Sequence, residues 1–550
     1  MLDSPASRAH PGPEQMGEKM EKNQLLYGDC LELMKDLPDE SVDLIYLDPP
    51  FKSDTDYNML FGSEKGEDMA QARAFADIWY WQDTICQPVY DRLLHRGGAA
   101  GRLVESLHLL LGPCGMLAYL LFMMERLIEM HRLLKKTGSL YLHCDPTASH
   151  YLKIILDGVF GPHSYGNEIS WLRAQPKSHN IKNFSNCRDI IFRYRASNKA
   201  KFYKIYKDYD PDYIKNFYKY EDSDGRRYRL DNLANPNKDR PNLTYEFLGV
   251  TRVWRWTRER MEKAHKDGLI VQTAPGRVPQ FKRYLDEMSG VPITNNWDDI
   301  EHLHGATAEY LGYPTQKPLA LLRRIIEAST DEGDVVLDPF CGCGTAVDAA
   351  EALNRRWIGM DVSCLAINVI RERLQNVHGV AVLDAVEVGG MPKDLAGARE
   401  LVNRDPFEFE RWAVGLLNGR PNDRQRGDGG ADGELLLPTR KRGRAARGII
   451  SVKGTRAVNP AMVNELSGVV DKMGAALGVL VLLNRPTKGM VQTAAQCGIW
   501  EDAFSGQTWP RIQIITIEAL LAGERPAMPT PLSPYTKAEY RHDDQLGMEV

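Results

Sequence analysis

Asp338-Pro339-Phe340-Cys341-Gly342-Cys343-Gly344-Thr345 follows the apolar run Val335–Leu337 and leads straight into the helical pattern Ala346–Leu353. Glycines at a strand-to-helix turn let the backbone approach a ligand and present amide N–H groups to it. Asp361 closes the next apolar run, Trp357–Met360, 23 residues beyond Asp338. That is near the roughly 20-residue offset at which an acid takes ribose hydroxyls in nucleotide-binding units. Val347 stands where a dinucleotide site would have its third glycine. The pattern therefore predicts a nucleoside-containing cofactor with no pyrophosphate to cradle, and S-adenosylmethionine suits it.

Outward from this turn the chain alternates between short apolar runs and helical patterns. Towards the N-terminus it reads as strand Gln24–Gly28, helix Cys30–Asp36, strand Val42–Leu47, helix Met116–Leu134, strand Ser139–His143 and helix Ala148–Phe160. After a break come helix Leu319–Thr330, the strand and helix around the turn, strand Trp357–Met360 and helix Leu365–Leu374. Strands of nearly unbroken apolar character, alternating with helices, predict a doubly wound α/β sheet covered on both faces. Residues 52–83, mixed polar and aromatic, read as a loop over the site.

The break, 171–311, holds many tyrosines and irregular turns such as Asn235-Pro236-Asn237, and reads as an inserted module. From about Gly390 a third unit begins, with strands at Gly448–Val452, Gly478–Leu483 and Ile512–Ile517. The expected domains are a disordered leader at 1–22, one α/β domain in two pieces (23–170 and 312–385), the insert, a C-terminal domain at 395–530 and a tail at 531–550.

Of 550 residues, 43% are apolar and 26% charged, which excludes collagen-like and wholly disordered classes. The longest apolar run, Met116–Met124, is less than half of the roughly 20 residues a membrane span needs. The polar first residues carry no secretory signal pattern. Nine scattered cysteines argue for a reducing compartment, hence the cytoplasm. The net charge of −5 is unevenly spread: Arg173 to Lys207 carries ten Lys/Arg against Asp189 alone, which is +9, leaving −14 elsewhere. Such a block is the footprint of a polyanion partner or a solvated basic face.

A second constellation, Asp48-Pro49-Pro50-Phe51, ends the strand Val42–Leu47. Serial prolines remove two N–H donors, so their carbonyls can face a ligand without competing donors. A carboxylate beside such carbonyls suits an exocyclic –NH2, whose ring-delocalised lone pair becomes nucleophilic when acceptors draw on its hydrogens. Phe51 offers a face for a base swung out of its stack.

Taken with Tyr27-Gly28-Asp29 and Tyr313-Pro314-Thr315-Gln316-Lys317-Pro318, these motifs resemble the beta class of adenine-N6 and cytosine-N4 DNA methyltransferases. The order, catalytic motif, insert, cofactor motif, is similar to that class over roughly residues 24–380. The resemblance implies a Rossmann-like, doubly wound S-adenosylmethionine-dependent methyltransferase sheet with an inserted target recognition domain. It implies that Asp48 and the following carbonyl hold the target amino group, with Pro49 and Pro50 shaping the loop and Phe51 stacking on the flipped base. It places Phe340, Gly342, Gly344 and Thr345 on the methionine and sulfonium side with Asp338 nearby. Asp361 goes to the ribose hydroxyls, Asp29 to the cofactor adenine, and Thr315 and Lys317 to the segment closing the methionine carboxylate end. Asp at 48, where cytosine-directed members usually carry Ser, leans toward N6 of adenine. Double-stranded DNA is the implied partner, met by Arg173, Lys177, Lys182, Arg188, Arg193 and Arg195, with a homodimer or a separate restriction subunit as further partners to consider. Methyl transfer needs no metal, and small-residue packing accounts for Cys341 and Cys343. The alternatives are cytosine-N4 methylation, a fused modification–restriction enzyme, and a non-catalytic DNA-binding scaffold.

The C-terminal domain is similar to Mrr-like restriction endonucleases, an α/β fold. Glu410 on a helix, Asp432 within Gly430-Ala431-Asp432-Gly433 and Lys453 on the following strand match the nuclease pattern. Ser451 departs from its Glu/Gln-x-Lys, removing a metal ligand. Mg2+ enters only if this domain is an active nuclease, and a non-cutting DNA-binding or docking module is the alternative.

Overall fold

Val42–Leu47 is buried at all six positions, as a strand covered on both faces must be. The structure is a computed structural model. It describes residues 22–50, 56–60, 71–76, 79–175, 182–304, 307, 309–311, 313, 315–422, 430–438, 446–501 and 506–532, with 56–60 and 71–76 as backbone strands alone. Residues 1–21 of the leader, Phe51, Lys177 and residues 533–550 of the tail lie outside the described residues.

The strands of the main sheet are β1 (Asn23–Tyr27), β2 (Val42–Leu47), β3 (Leu134–Cys144), β4 (Tyr165–Leu172), β5 (Arg188–Arg195), β6 (Asn296–Trp297), β7 (Val335–Asp338), β8 (Arg356–Asp361) and β9 (Val386–Gly389). Their order is β6-β4-β5-β3-β2-β7-β8-β1-β9. Every pairing is parallel except the two made by β5, so the sheet is mixed. β2 and β7 are neighbours, with Leu44 beside Val336 and Ile45 beside Leu337. Two motifs almost 300 residues apart thereby end side by side at the carboxyl edge, where open α/β sheets bind ligands.

Helices cover the sheet: α1 (Cys30–Lys35), α2 (Gly115–Leu133), α3 (Ser149–Phe160), α4 (Leu319–Ser329), α5 (Thr345–Ala352) and α6 (Cys364–His378). α2 buries eleven of its nineteen residues, and Tyr119, Met123, Leu127 and Met130 share one core with Ile45 and Leu47 of β2. Residues 52–83, expected as loop, contain the antiparallel strands Asp56–Leu60 and Gln71–Ala76. Helices Asp83–His95 and Gly98–Leu111 follow.

The insert is narrower than its basic composition suggested. β4, β5 and β6 belong to the main sheet, and the separate compact unit spans Lys204–Thr294. Within that unit, Ile270–Val271, Gln280–Tyr284, Arg227–Asn232 and Tyr220–Glu221 form an antiparallel sheet. Its core gathers Leu233, Phe247, Trp254 and Met261. Tyr218 and Trp254 are core residues, whereas Tyr206 and Tyr220 are exposed.

The C-terminal region opens with helices α7 (Leu395–Arg404) and α8 (Pro406–Gly415). A five-stranded sheet follows, β10 (Arg420–Pro421), β11 (Gly433–Leu437), β12 (Ala446–Lys453), β13 (Leu477–Leu482) and β14 (Ile512–Thr516), in chain order. β10 to β12 are antiparallel, whereas β12, β13 and β14 run parallel. Among the described residues no helix is long and apolar enough to cross a membrane.

Candidate functional site

A cavity of about 740 Å³ opens over the carboxyl ends of β1, β2, β7 and β8. That lies within the size range of small-molecule sites, roughly 300–1,000 Å³. Asp48, Pro49 and Pro50 from β2 line it together with Asp338, Phe340, Gly342 and Thr345 after β7, Asp361 after β8, Asp29 after β1, and Thr315 and Lys317 before α4. Gly344 lies in the same turn, and Phe51 lies outside the described residues.

The glycine turn owes its shape to two positive φ angles, +50° at Gly342 and +77° at Gly344. A Cβ at Gly344 would stand 2.7 Å from Ile370 of α6, so only glycine fits. The Gly342 N–H donates to Asp361 Oδ2 at 2.9 Å, and the Ser363 N–H to Oδ1 at 2.9 Å. This corrects the expectation that the Gly342 amide is held out for a ligand; the turn is tied to the acid of the next strand. Burial raises the Asp361 carboxyl to about 6, with Glu408 adding to the rise. Thr345 likewise turns inward, accepting from Arg373 at 3.1 Å.

Asp48 Oδ2 accepts from Lys317 Nζ at 2.5 Å, and both side chains are mostly buried. Asp48 Oδ1 is buried with no hydrogen-bond partner among the described residues. Lys317 Nζ also donates to the Thr315 carbonyl at 3.1 Å. Thr315 presents that carbonyl from a φ of +62°, an outlier for a β-branched residue. Lys317 is thus bound to the catalytic-motif carboxylate, a role the sequence did not suggest. Burial, with Asp48 and Asp361 nearby, pushes the Asp338 carboxyl well above the usual carboxylate range. It is thereby held towards its protonated form, able to donate.

Asp29 caps α1 through the Leu31 N–H, and its carboxylate takes Arg126 at 2.6 and 2.8 Å. Arg126 itself is buried on α2, its guanidinium 3.3 Å from the Phe122 ring centroid. Sequence reasoning missed Arg126, although an arginine ending an apolar run on a core helix is a signal of a buried partner. Trp79, packed on Tyr119 and Phe122, also lines the cavity and was missed. Tyr46, another lining residue, bonds His143 at 3.0 Å, and His143 bonds Asp189 at 3.1 Å. A further missed group comes from the C-terminal region: Arg404, Asp405, Phe407, Glu408 and Arg411 line this cavity too.

The basic residues divide sharply. Lys182 is exposed, and Arg188 and Arg195 are half-buried on β5. Arg188 donates to Asn296 at 2.7 Å and Arg195 to the His163 carbonyl at 3.1 Å. Arg173 is partly exposed and ion-paired with Asp189 at 2.8 Å. Arg193 corrects the sequence reading. It is 5% exposed, donates inward to Ser139 and the Lys201 carbonyl, and packs on Phe202, so it is not placed to meet a phosphate. Lys177 lies outside the described residues.

In the C-terminal sheet, Asp432 Oδ2 accepts from the Val452 N–H at 2.6 Å and from Ser451 Oγ at 3.2 Å, with Lys453 Nζ at 3.7 Å. Glu410 is half-buried on α8. Among the described residues no group of three or more His, Cys, Asp or Glu side chains could hold a metal ion.

A parallel strand running into a glycine turn, an acid closing the next strand, and a second acid on the neighbouring strand define an α/β protein with a nucleoside-sized cleft at its carboxyl edge. The chain belongs to the N6_N4_Mtase family of DNA methylases, whose model matches residues 42–372. It is 31% identical over 260 residues to the type II methyltransferase M.EcaI of Enterobacter cloacae, covering 46% of this chain and 57% of that protein. It is 26% identical over 354 residues to the Mod subunit of the type III restriction-modification enzyme StyLTI of Salmonella typhimurium, covering 61% of this chain and 51% of that protein. A segment of 144 residues is 43% identical to the type II methyltransferase M.HpaI of Haemophilus parainfluenzae, covering 26% of this chain and 43% of that protein. The chain thus spans about half the length of these curated relatives.

Proposed function

We propose that this protein methylates DNA, transferring a methyl group from S-adenosylmethionine to the N6 amino group of an adenine swung out of the duplex, as part of a restriction-modification or related defence system. The observation that carries the reading is the shared cavity: Asp48, with a buried acceptor that no described residue meets, lines the same space as the Gly342 turn and Asp361. Buried acceptors without partners are rare and call for a ligand donor or a water.

When bound, S-adenosylmethionine supplies a methyl group made electrophilic by its sulfonium. The chain's own residues do the positioning. Lys317 holds one oxygen of Asp48, leaving Oδ1 and the prolyl carbonyls as acceptors for the two amino hydrogens. Drawing on those hydrogens returns the nitrogen lone pair from the ring to the nitrogen. Asp361 accepts the ribose hydroxyls while its own backbone bonds keep it in place. Phe340 and the turn fix the methionine side. Catalysis then rests on alignment more than on acid–base strength. Phe51 is the proposed stacking surface, and the unit Lys204–Thr294 the proposed target-recognition module, with Lys182, Arg188 and Arg195 meeting phosphates.

Purified protein incubated with methyl-labelled cofactor and duplex DNA should label the DNA, and Asp48→Ala should abolish the label. Equal labelling by both proteins would sink the assignment. Hydrolysis to nucleosides separates N6-methyladenine from N4-methylcytosine, the rival product.

A second reading, DNA cleavage by the C-terminal domain, rests on Asp432 lying 3.7 Å from Lys453 at the carboxyl end of β12, where Asp432 Oδ2 also takes the Val452 N–H and Ser451 Oγ. It predicts Mg2+-dependent cutting that Asp432→Ala removes. Intact DNA with every divalent metal tried leaves the domain a non-cutting module.

A further inference from the structure

The cavity has walls from two parts of the chain that the sequence assigns to different domains. Past β8, Asp361, Val362 and Ser363 line it, and so do Arg404 of α7 and Phe407, Glu408 and Arg411 of α8. The junction is specifically bonded. Glu408 is 7% exposed, accepts from the Cys364 N–H at 3.3 Å through Oε2, and is paired with Arg411 at 2.6 Å through Oε1. Arg404 reaches the Tyr27 hydroxyl at 3.4 Å. Asp405 accepts the N–H groups of Phe407 and Glu408, fixing the first turn of α8.

These bonds fix the helix turn that carries Phe407 at the cleft. Phe407 is 43% exposed and Val362 62% exposed, yet both line the same cavity. Two exposed apolar side chains beside an acid suited to ribose hydroxyls are surfaces a flat heteroaromatic ring would cover, since aromatic stacking and desolvation both favour it. Charges of both signs line this end, Asp361, Asp405 and Glu408 with Arg404 and Arg411, so the apolar faces of Phe407 and Val362 are what a ring would recognise there.

We infer that the C-terminal domain is a structural part of the cofactor site, in which Phe407 covers the purine of the bound nucleoside and the Glu408–Cys364 bond holds that cover in place. This rests on the cofactor reading proposed above. It gives the C-terminal domain a role that requires no cutting of DNA.

The test uses the full chain and equilibrium binding of S-adenosylmethionine and S-adenosylhomocysteine, in the absence of DNA. Phe407→Ala removes a half-exposed ring, so the far-UV circular dichroism should match wild type. The dissociation constant for both ligands should rise about tenfold, in line with base stacking on an aromatic side chain. A second variant, Phe407→Trp, should show a change in its emission, measured as the difference from wild type, when either ligand is saturating. A dissociation constant for Phe407→Ala within twofold of wild type, or an emission difference that neither ligand moves, overturns the inference while leaving the cofactor reading intact. Failure of wild type itself to bind either ligand overturns both.

Discussion

Lys317 Nζ stands 2.5 Å from Asp48 Oδ2, linking two motifs 269 residues apart in one mostly buried ion pair. The pair fixes the carboxylate's rotation and occupies one of its oxygens. Removing a partner from such a pair leaves an uncompensated charge, which costs more than the pair contributes. Lys317→Met should therefore lower stability by about 3–5 kcal/mol. The double variant with Asp48→Asn should recover much of that loss in urea titrations, while methyl transfer stays absent in it. Additive losses across the cycle would show that the two side chains do not act as a unit.

With Asp361 in its proposed place against the ribose hydroxyls, ligand binding depends on pH. Its carboxyl is raised to about 6, chiefly by burial. Ribose hydroxyls donate to the carboxylate and not to the acid, so affinity is full above that value and falls as pH drops through it. The dissociation constant for S-adenosylmethionine should rise by up to about tenfold per pH unit below 6. Folding stability responds with the opposite sign. The native state holds this proton more tightly than the unfolded chain, so the group's contribution is fullest below about 4 and is lost as pH rises towards 6. Calorimetry from pH 5 to 8 checks the first effect, and Asp361→Asn should bind more weakly with a flat profile.

The glycine turn tolerates no side chain at 344. Its φ of +77° disfavours an L residue, and a Cβ there would meet Ile370 at 2.7 Å. Gly344→Ala should cost about 2–4 kcal/mol, from left-handed strain plus overpacking against α6. Pairing it with Ile370→Val should recover little, because the strain term and the close Cγ1 and Cγ2 atoms both remain. A melting temperature equal to wild type would show that the turn relaxes without cost.

Much of the sheet was readable because its signal is local. Val42–Leu47 is apolar at every position but Asp43 and lies between turn residues, and the observed strand has those same ends. Leu319–Ser329 and Thr345–Ala352 differ by a residue from their expected bounds, as helix ends do. β5 was not readable, because Arg188, Arg193 and Arg195 hide the apolar triplet Ile190-Ile191-Phe192 inside a run that counts as basic. Burial of Arg193 depends on Ser139 and Phe202, brought near by β3 pairing, which local composition does not encode. Arg126 and Phe407 were missed for the same reason: each acquires its place from a partner 97 residues away, in the case of Arg126 and Asp29, or from a separate domain, in the case of Phe407.

That division among the basic residues can be measured through salt. Each Lys or Arg that neutralises a phosphate releases a counterion and steepens the fall of log K with log salt concentration by about 0.9. Lys182 is exposed and Arg195 half-buried, and both are proposed phosphate contacts. Lys182→Ala and Arg195→Ala should weaken duplex binding across unrelated sequences and flatten the salt slope by about one each. Arg193 is held inside by Ser139, Phe202 and the Lys201 carbonyl. Arg193→Ala should lower stability and leave the slope of the folded fraction unchanged. Binding isotherms between 50 and 300 mM salt, across which the Debye length shortens about 2.4-fold, separate the two behaviours. A slope lost in Arg193→Ala and kept in Lys182→Ala would place the phosphate contacts on a different face.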